Sequence, residues 1–167
     1  MQTDVVVLAA GKGTRMHSKT AKVLHQLAGK PLLQHVLETA QTLNPRTLAV
    51  VIGHQGAEIQ AALGATDGLA ELVWVEQPQQ LGTGHAVKLA KESLPDDGVT
   101  LVLYGDVPLI SQATLSACEQ AAKHGSVGLV VAEFSNPAQL GRIVRNDKGA
   151  ITEIVEFKDC LLYTSDA

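Results

Sequence analysis

Several absences narrow what this chain of 167 residues can be. It has two cysteines, Cys118 and Cys160, in no spacing motif. That argues against a disulfide framework and for a reduced, cytosolic protein. Six histidines, at 17, 25, 35, 54, 85 and 124, are scattered without metal-ligand spacing, so no zinc site is expected. No apolar run approaches the roughly 20 residues of a spanning helix. The start, Met1-Gln2-Thr3-Asp4, lacks the basic region of a signal peptide. A net charge of −4 gives no support for partners with a nucleic-acid or anionic-membrane surface. Internal repeats and low-complexity linkers are missing too.

What remains is the composition of a globular domain. Hydrophobic residues make up 46% of the chain, and the length suits a single core. Strand and helix patterns alternate. Apolar runs at Val5–Ala10, Thr47–Ile52, Leu72–Glu76, Val99–Leu103 and Val127–Glu133 read as strands. Helical spacing spans Pro31–Leu43, Ala57–Leu63 and a stretch of about ten residues from His85. Ser111 is placed to cap a helix running to about His124. Asn146-Asp147-Lys148-Gly149 reads as the turn of a hairpin between Arg142–Arg145 and Ile151–Val155. Alternation of this kind predicts an α/β fold, a mostly parallel sheet with helices on both faces. In such a sheet the ligand crevice lies at the carboxyl ends of the strands. The loops Gly11–Lys22, Gly53–Gln55, Gln77–Gly84 and Tyr104–Pro108 should all open there.

The first of these loops holds the most chemistry. From Val5 to Leu37 the chain has four lysines, one arginine and no acidic residue, against its overall negative balance. Gly11 and Gly13 let backbone N–H groups approach an anion, and Lys12, Arg15 and Lys22 add full charge. The loop is neither a dinucleotide fingerprint, since Met16 stands where a third glycine is needed, nor a P-loop. Asp106 follows an apolar strand and Gly105, a position suited to holding Mg²⁺ with one carboxylate plus phosphate oxygens. The amides of Gln77–Gly84 suit the reading of base edges, although Thr83 also suits a helix cap. His85 reads as structural, with no nucleophile beside it. A basic glycine loop with a carboxylate and no protein nucleophile points to phosphoryl or nucleotidyl transfer, where positioning and charge do the catalysis.

Four ordered segments carry a family resemblance over about residues 4–159. Leu8-Ala9-Ala10-Gly11-Lys12-Gly13-Thr14-Arg15-Met16 with Lys22-Val23-Leu24 resembles the signature of the sugar-1-phosphate nucleotidyltransferases. Gln80-Leu81-Gly82-Thr83-Gly84-His85-Ala86, Tyr104-Gly105-Asp106-Val107-Pro108-Leu109-Ile110, and Gly141-Arg142-Ile143 with Ile154-Val155-Glu156 narrow it. Together they are similar to the uridylyltransferase domains of bifunctional bacterial enzymes that make UDP-N-acetylglucosamine. The resemblance implies a Rossmann-like nucleotide-diphospho-sugar transferase fold. It also implies that UTP and N-acetylglucosamine 1-phosphate are joined with Mg²⁺ as cofactor, releasing pyrophosphate, in cell-wall precursor synthesis in the cytoplasm. Carried over by position, Leu8, Ala9, Ala10 and Gly11 would contact the uridine, and Gln77, Gly82 and Thr83 the uracil. Arg15 and Lys22 would bind the triphosphate and assist departure of pyrophosphate. Asp106 would ligate Mg²⁺, with Tyr104 and Gly105 lining the site, and Gly141 and Glu156 would meet the sugar.

Ala21 departs from the pattern, where a proline usually precedes the lysine. Beyond Asp159 the chain leaves the pattern, and Cys160–Ala167 reads as a foreign tail on an incomplete domain of residues 1–159. The resemblance implies a longer parent whose further β-helix acetyltransferase domain drives trimerisation. Two alternatives stay open: a relative with another sugar or base, and a nucleotide-binding fragment without turnover, the expectation for this length of chain being weak or no turnover.

Overall fold

A computed structural model describes residues 2–11, 13, 16, 18, 20–64, 69, 71–123 and 125–157. They form two compact units, divided at Val130. The first is built on a four-stranded parallel sheet of β1 (Thr3–Leu8), β4 (Thr47–Ile52), β5 (Val73–Glu76) and β6 (Val99–Tyr104). A two-residue ladder of β2 (Gln26–Leu27) and β3 (Lys30–Pro31) lies between β1 and the first helix in the chain. The helices are α1 (Leu32–Gln41), α2 (Gly56–Leu63), α3 (Thr83–Lys91) and α4 (Gln112–Ala122).

Strand order is β5-β4-β1-β6. The chain therefore winds outward from β1 through β4 to β5, then jumps back past β1 to place β6. Parallel crossovers are right-handed, so this reversal sends α3 to the opposite face from α1 and α2. The core follows suit. Val5 and Val7 of β1 pack with Leu33, Val36 and Leu37 of α1, Ile59 and Leu63 of α2 and Leu115 of α4. Val6, Ala49 and Val51 pack with Ala86 and Ala90 of α3. β1 and β4 are buried on both faces, which is why they read as unbroken apolar runs. β6 alternates instead: Val99, Leu101 and Leu103 are buried, whereas Thr100, Val102 and Tyr104 are exposed.

Helix ends follow local chemistry. Pro31 precedes α1 as its N-cap. Ser111 caps α4 through its side-chain oxygen, which accepts from the Thr114 N–H at 3.1 Å. Asp4 is held at the start of β1, 1% exposed, by the Arg46 guanidinium at 2.6 Å. Arg46 also reaches Asp97 at 2.8 Å. That guanidinium outweighs burial and holds the Asp4 carboxyl below its ordinary value near 3.8. A depressed carboxylate stabilises the fold above its unfolded pKa, and the contribution is lost as pH falls through the folded value. The melting temperature should therefore lose this contribution only below about pH 4. Arg46→Met should remove most of that acid-side slope in melts recorded from pH 3 to 6.

The second unit contains an antiparallel hairpin of β7 (Arg142–Arg145) and β8 (Ile151–Val155). Asn146 makes the turn, its side-chain oxygen accepting from the N–H groups of Lys148 and Ala150, each at 3.0 Å. This agrees with the hairpin expected from sequence. One expected strand is corrected: Val127–Glu133 forms no strand ladder. Its Val-Gly-Leu-Val-Val run has β propensity, but a strand needs a paired neighbour, and none borders it among the described residues. Among the described residues no helix is long and apolar enough to cross a membrane.

Candidate functional site

β1 and β6 are adjacent and parallel, with Leu8 opposite Tyr104 at their carboxyl ends. Here the winding direction reverses, and the two departing loops leave a crevice between them. An open cavity of about 270 Å³ occupies it. Three loops line it: Leu8–Gly11 with Lys22 and Val23 after β1, Gln77 to Thr83 after β5, and Tyr104 with Asp106 after β6.

Each loop is positioned by backbone bonds. The Ala9 N–H donates to Val51 O at 2.8 Å, and the Gln77 N–H to Ile52 O at 2.8 Å. The Gly105 N–H donates to Leu8 O at 2.9 Å, joining the β1 and β6 loops directly. Gly105 itself is buried. A Cβ there would meet Leu33 Cδ1 at 3.0 Å and Leu8 O at 3.2 Å. Asp106 is thus presented from a backbone pressed against α1.

Across the cavity, the Lys22 ammonium donates to Asp106 Oδ2. Both side chains are part-exposed. Gly13 packs against the lysine: it has a φ of +56°, and a Cβ there would stand 2.9 Å from Lys22 Cβ. The loop therefore needs glycine at 13 for conformation and for room. Among the described residues no cluster of three His, Cys, Asp or Glu is placed to hold a metal. A single carboxylate suits an ion that keeps waters and takes phosphate oxygens, which is how Mg²⁺ is usually bound.

The Gln-rich loop is tied on both sides. The Gln80 amide donates to Ala10 O, linking it to the glycine loop. Gly53 lies beneath, where a Cβ would meet Gln80 Nε2 at 2.8 Å and Ala10 O at 3.0 Å. A second cavity, of about 280 Å³, shares Ala9, Ala10, Gly11 and Gln80 with the first and extends to His54. Gly82, with a φ of +100°, begins α3.

The structure brings together Leu8, Ala9, Ala10, Gly11, Lys22, Gln77, Gly82, Thr83, Tyr104 and Asp106 around one cavity. Gly141 and Glu156 belong to the second unit, where they adjoin across the hairpin base. Arg15, Lys12 and the tail 160–167 lie outside the described residues. Sequence reasoning did not single out Gln80, Val23 or Gly53. Gln80 stood in the amide-rich loop, but only contact with Ala10 distinguishes it. Val23 and Gly53 give no chemical signal.

A doubly wound sheet with Gly11, Lys22 and a lone carboxylate gathered at its switch point defines a ligand-binding α/β domain. The chain belongs to the MobA-like NTP transferase domain family, which matches residues 5–154; it is a nucleotidyltransferase domain. It is 51% identical over 164 residues, 95% of the chain, to the bifunctional protein GlmU of Legionella pneumophila. The chain spans about a third of the length of such curated relatives, 35% in that case. Among solved structures it is similar to Rv0371c of Mycobacterium tuberculosis, with 27% identity and a TM-score of 0.59 over 72% of this chain and 60% of that one. HddC of Yersinia pseudotuberculosis, solved with GMP-PN, shares the fold at 18% identity. Its TM-score is 0.69 over 93% of this chain and 69% of that one.

Proposed function

We propose that residues 1–159 act as a uridylyltransferase domain, joining UTP and N-acetylglucosamine 1-phosphate into UDP-N-acetylglucosamine and pyrophosphate. The observation that carries this is the convergence of Gly11 and Lys22, an amide-rich loop and Asp106 on one cavity. The extent of identity to GlmU proteins supports the choice of base and sugar. In this reading a phosphate oxygen of the sugar phosphate attacks the α-phosphorus of UTP. The bond from that phosphorus to the bridging oxygen breaks, and pyrophosphate departs with the electron pair.

The backbone of Leu8–Gly11 contacts the uridine, and Gln77, Gly82 and Thr83 orient the uracil. Lys22, with Arg15, offsets charge on the triphosphate as pyrophosphate leaves. Asp106 would hold Mg²⁺ beside Tyr104 and Gly105, and the bound ion would neutralise phosphate charge. Gly141 and Glu156 meet the sugar. The parent protein is taken to be a cytoplasmic homotrimer, assembled through a domain beyond this chain and serving cell-wall synthesis.

Pyrophosphate release measured across nucleotide and sugar-phosphate pairs tests the reading, with calorimetry of UTP and Mg²⁺ on the same sample. The UTP and N-acetylglucosamine 1-phosphate pair should be preferred. Preference for another pair overturns the assignment; binding of UTP without turnover leaves a nucleotide-binding module in place of an enzyme.

A further inference from the structure

Gln77 is 4% exposed yet lines the cavity. Its side-chain nitrogen lies 3.1 Å from Gly82 O and 3.1 Å from His85 Nδ1. A carbonyl only accepts, so the end of the amide facing Gly82 is the NH₂. The opposite flip would set two carbonyl oxygens against each other. The second amide hydrogen then meets His85 Nδ1, which must accept, so a neutral imidazole carries its proton on Nε2. Gly82 O is itself fixed, because it also accepts the Ala86 N–H at 3.2 Å as α3 begins. Both anchors of the amide therefore stand on the first turn of one helix. Among the described residues Gln77 Oε1 receives no hydrogen bond, and it is not a sealed polar atom, as His25 Nε2 is. It is the accessible, unengaged end of an amide whose residue lines the cavity.

We propose that His85 is a positioning residue for base selection: it locks the Gln77 amide so that only its acceptor oxygen meets the ligand. This rests on the reading that a nucleobase enters this cavity. A fixed acceptor takes a base with a ring N–H on the facing edge, as uracil and thymine have at N3. It repels cytosine and adenine, which present a bare ring nitrogen on that edge. Both hydrogens of the amide are engaged, so it cannot turn to donate without breaking two bonds. With His85 Nδ1 gone, one bond remains and the amide can swing its NH₂ toward the ligand.

His85→Phe keeps a ring and removes the acceptor. By competition calorimetry it should lower the UTP-over-CTP preference about tenfold, the effect of one neutral hydrogen bond. His85→Asn returns an acceptor near the Nδ1 position and should restore the preference. An unchanged preference in His85→Phe overturns the proposal. The histidine ¹⁵N spectrum of the unmodified protein tests it without ligand or substitution. The Nε2–H tautomer at neutral pH supports it, and an Nδ1–H tautomer overturns it. A protein that binds neither nucleotide would sink the uridylyltransferase reading, while the tautomer would still decide the role of His85.

Discussion

Lys22→Ala should slow pyrophosphate release about a hundredfold, the usual consequence of losing one preorganised charge-stabilising group. The lysine comes from a short 3₁₀ turn, Lys22–Leu24, whose Val23 is anchored in the core. Removing its ammonium should therefore leave the fold intact, with an unchanged far-UV spectrum. The same ammonium is the partner of Asp106. Its loss frees that carboxylate, so Mn²⁺ binding without nucleotide should strengthen or hold even as turnover falls. Paired loss of metal binding and turnover would mean that Lys22 supports the loop's shape and not the transferring phosphate. Single-turnover release and metal titration on one preparation separate the two.

Leu33→Ala should cost about 2–5 kcal/mol of stability, the range for a fully buried leucine. Leu33 is 0% exposed on α1 in the larger core cluster. It also lies against Gly105, directly before Asp106. Its truncation should loosen the β6 loop and slow pyrophosphate release in molecules that remain folded. Leu63→Ala on α2 removes a leucine 1% exposed in the same cluster without touching that loop. Denaturant unfolding should show comparable losses for the two variants. Only Leu33→Ala should also reduce the rate well below its unfolding midpoint.

Much of the sheet was legible because its central strands are buried on both faces and read as apolar runs without interruption. Thr47–Ile52 agrees at both ends. Helices were legible through capping and spacing, as at Ser111. The run Val127–Glu133 was misread because propensity is local, whereas a strand depends on a neighbour that no local pattern supplies. The loops of the site were legible as charges and amides. Their wiring was not: that Gln80 reaches Ala10, that Gly13 makes room for Lys22, or that Leu33 supports Gly105 depends on contacts between residues distant in sequence. His85 shows the difference most plainly. By residue type it read as a histidine with no nucleophile, and its partner became evident only once the loop and the first turn of α3 were folded together.

The reversal of winding at β1 has an evolutionary consequence. The amide end of the cavity is mounted on α3, against the smaller core cluster. The charged end, with Lys22 and Asp106, is mounted on the α1 side, against the larger one. Two layers separated by a sheet thus carry two halves of one task. Under the proposed function, selection would be able to retune which base is accepted through the opening turn of α3 while leaving the Lys22 and Asp106 side of the cavity untouched.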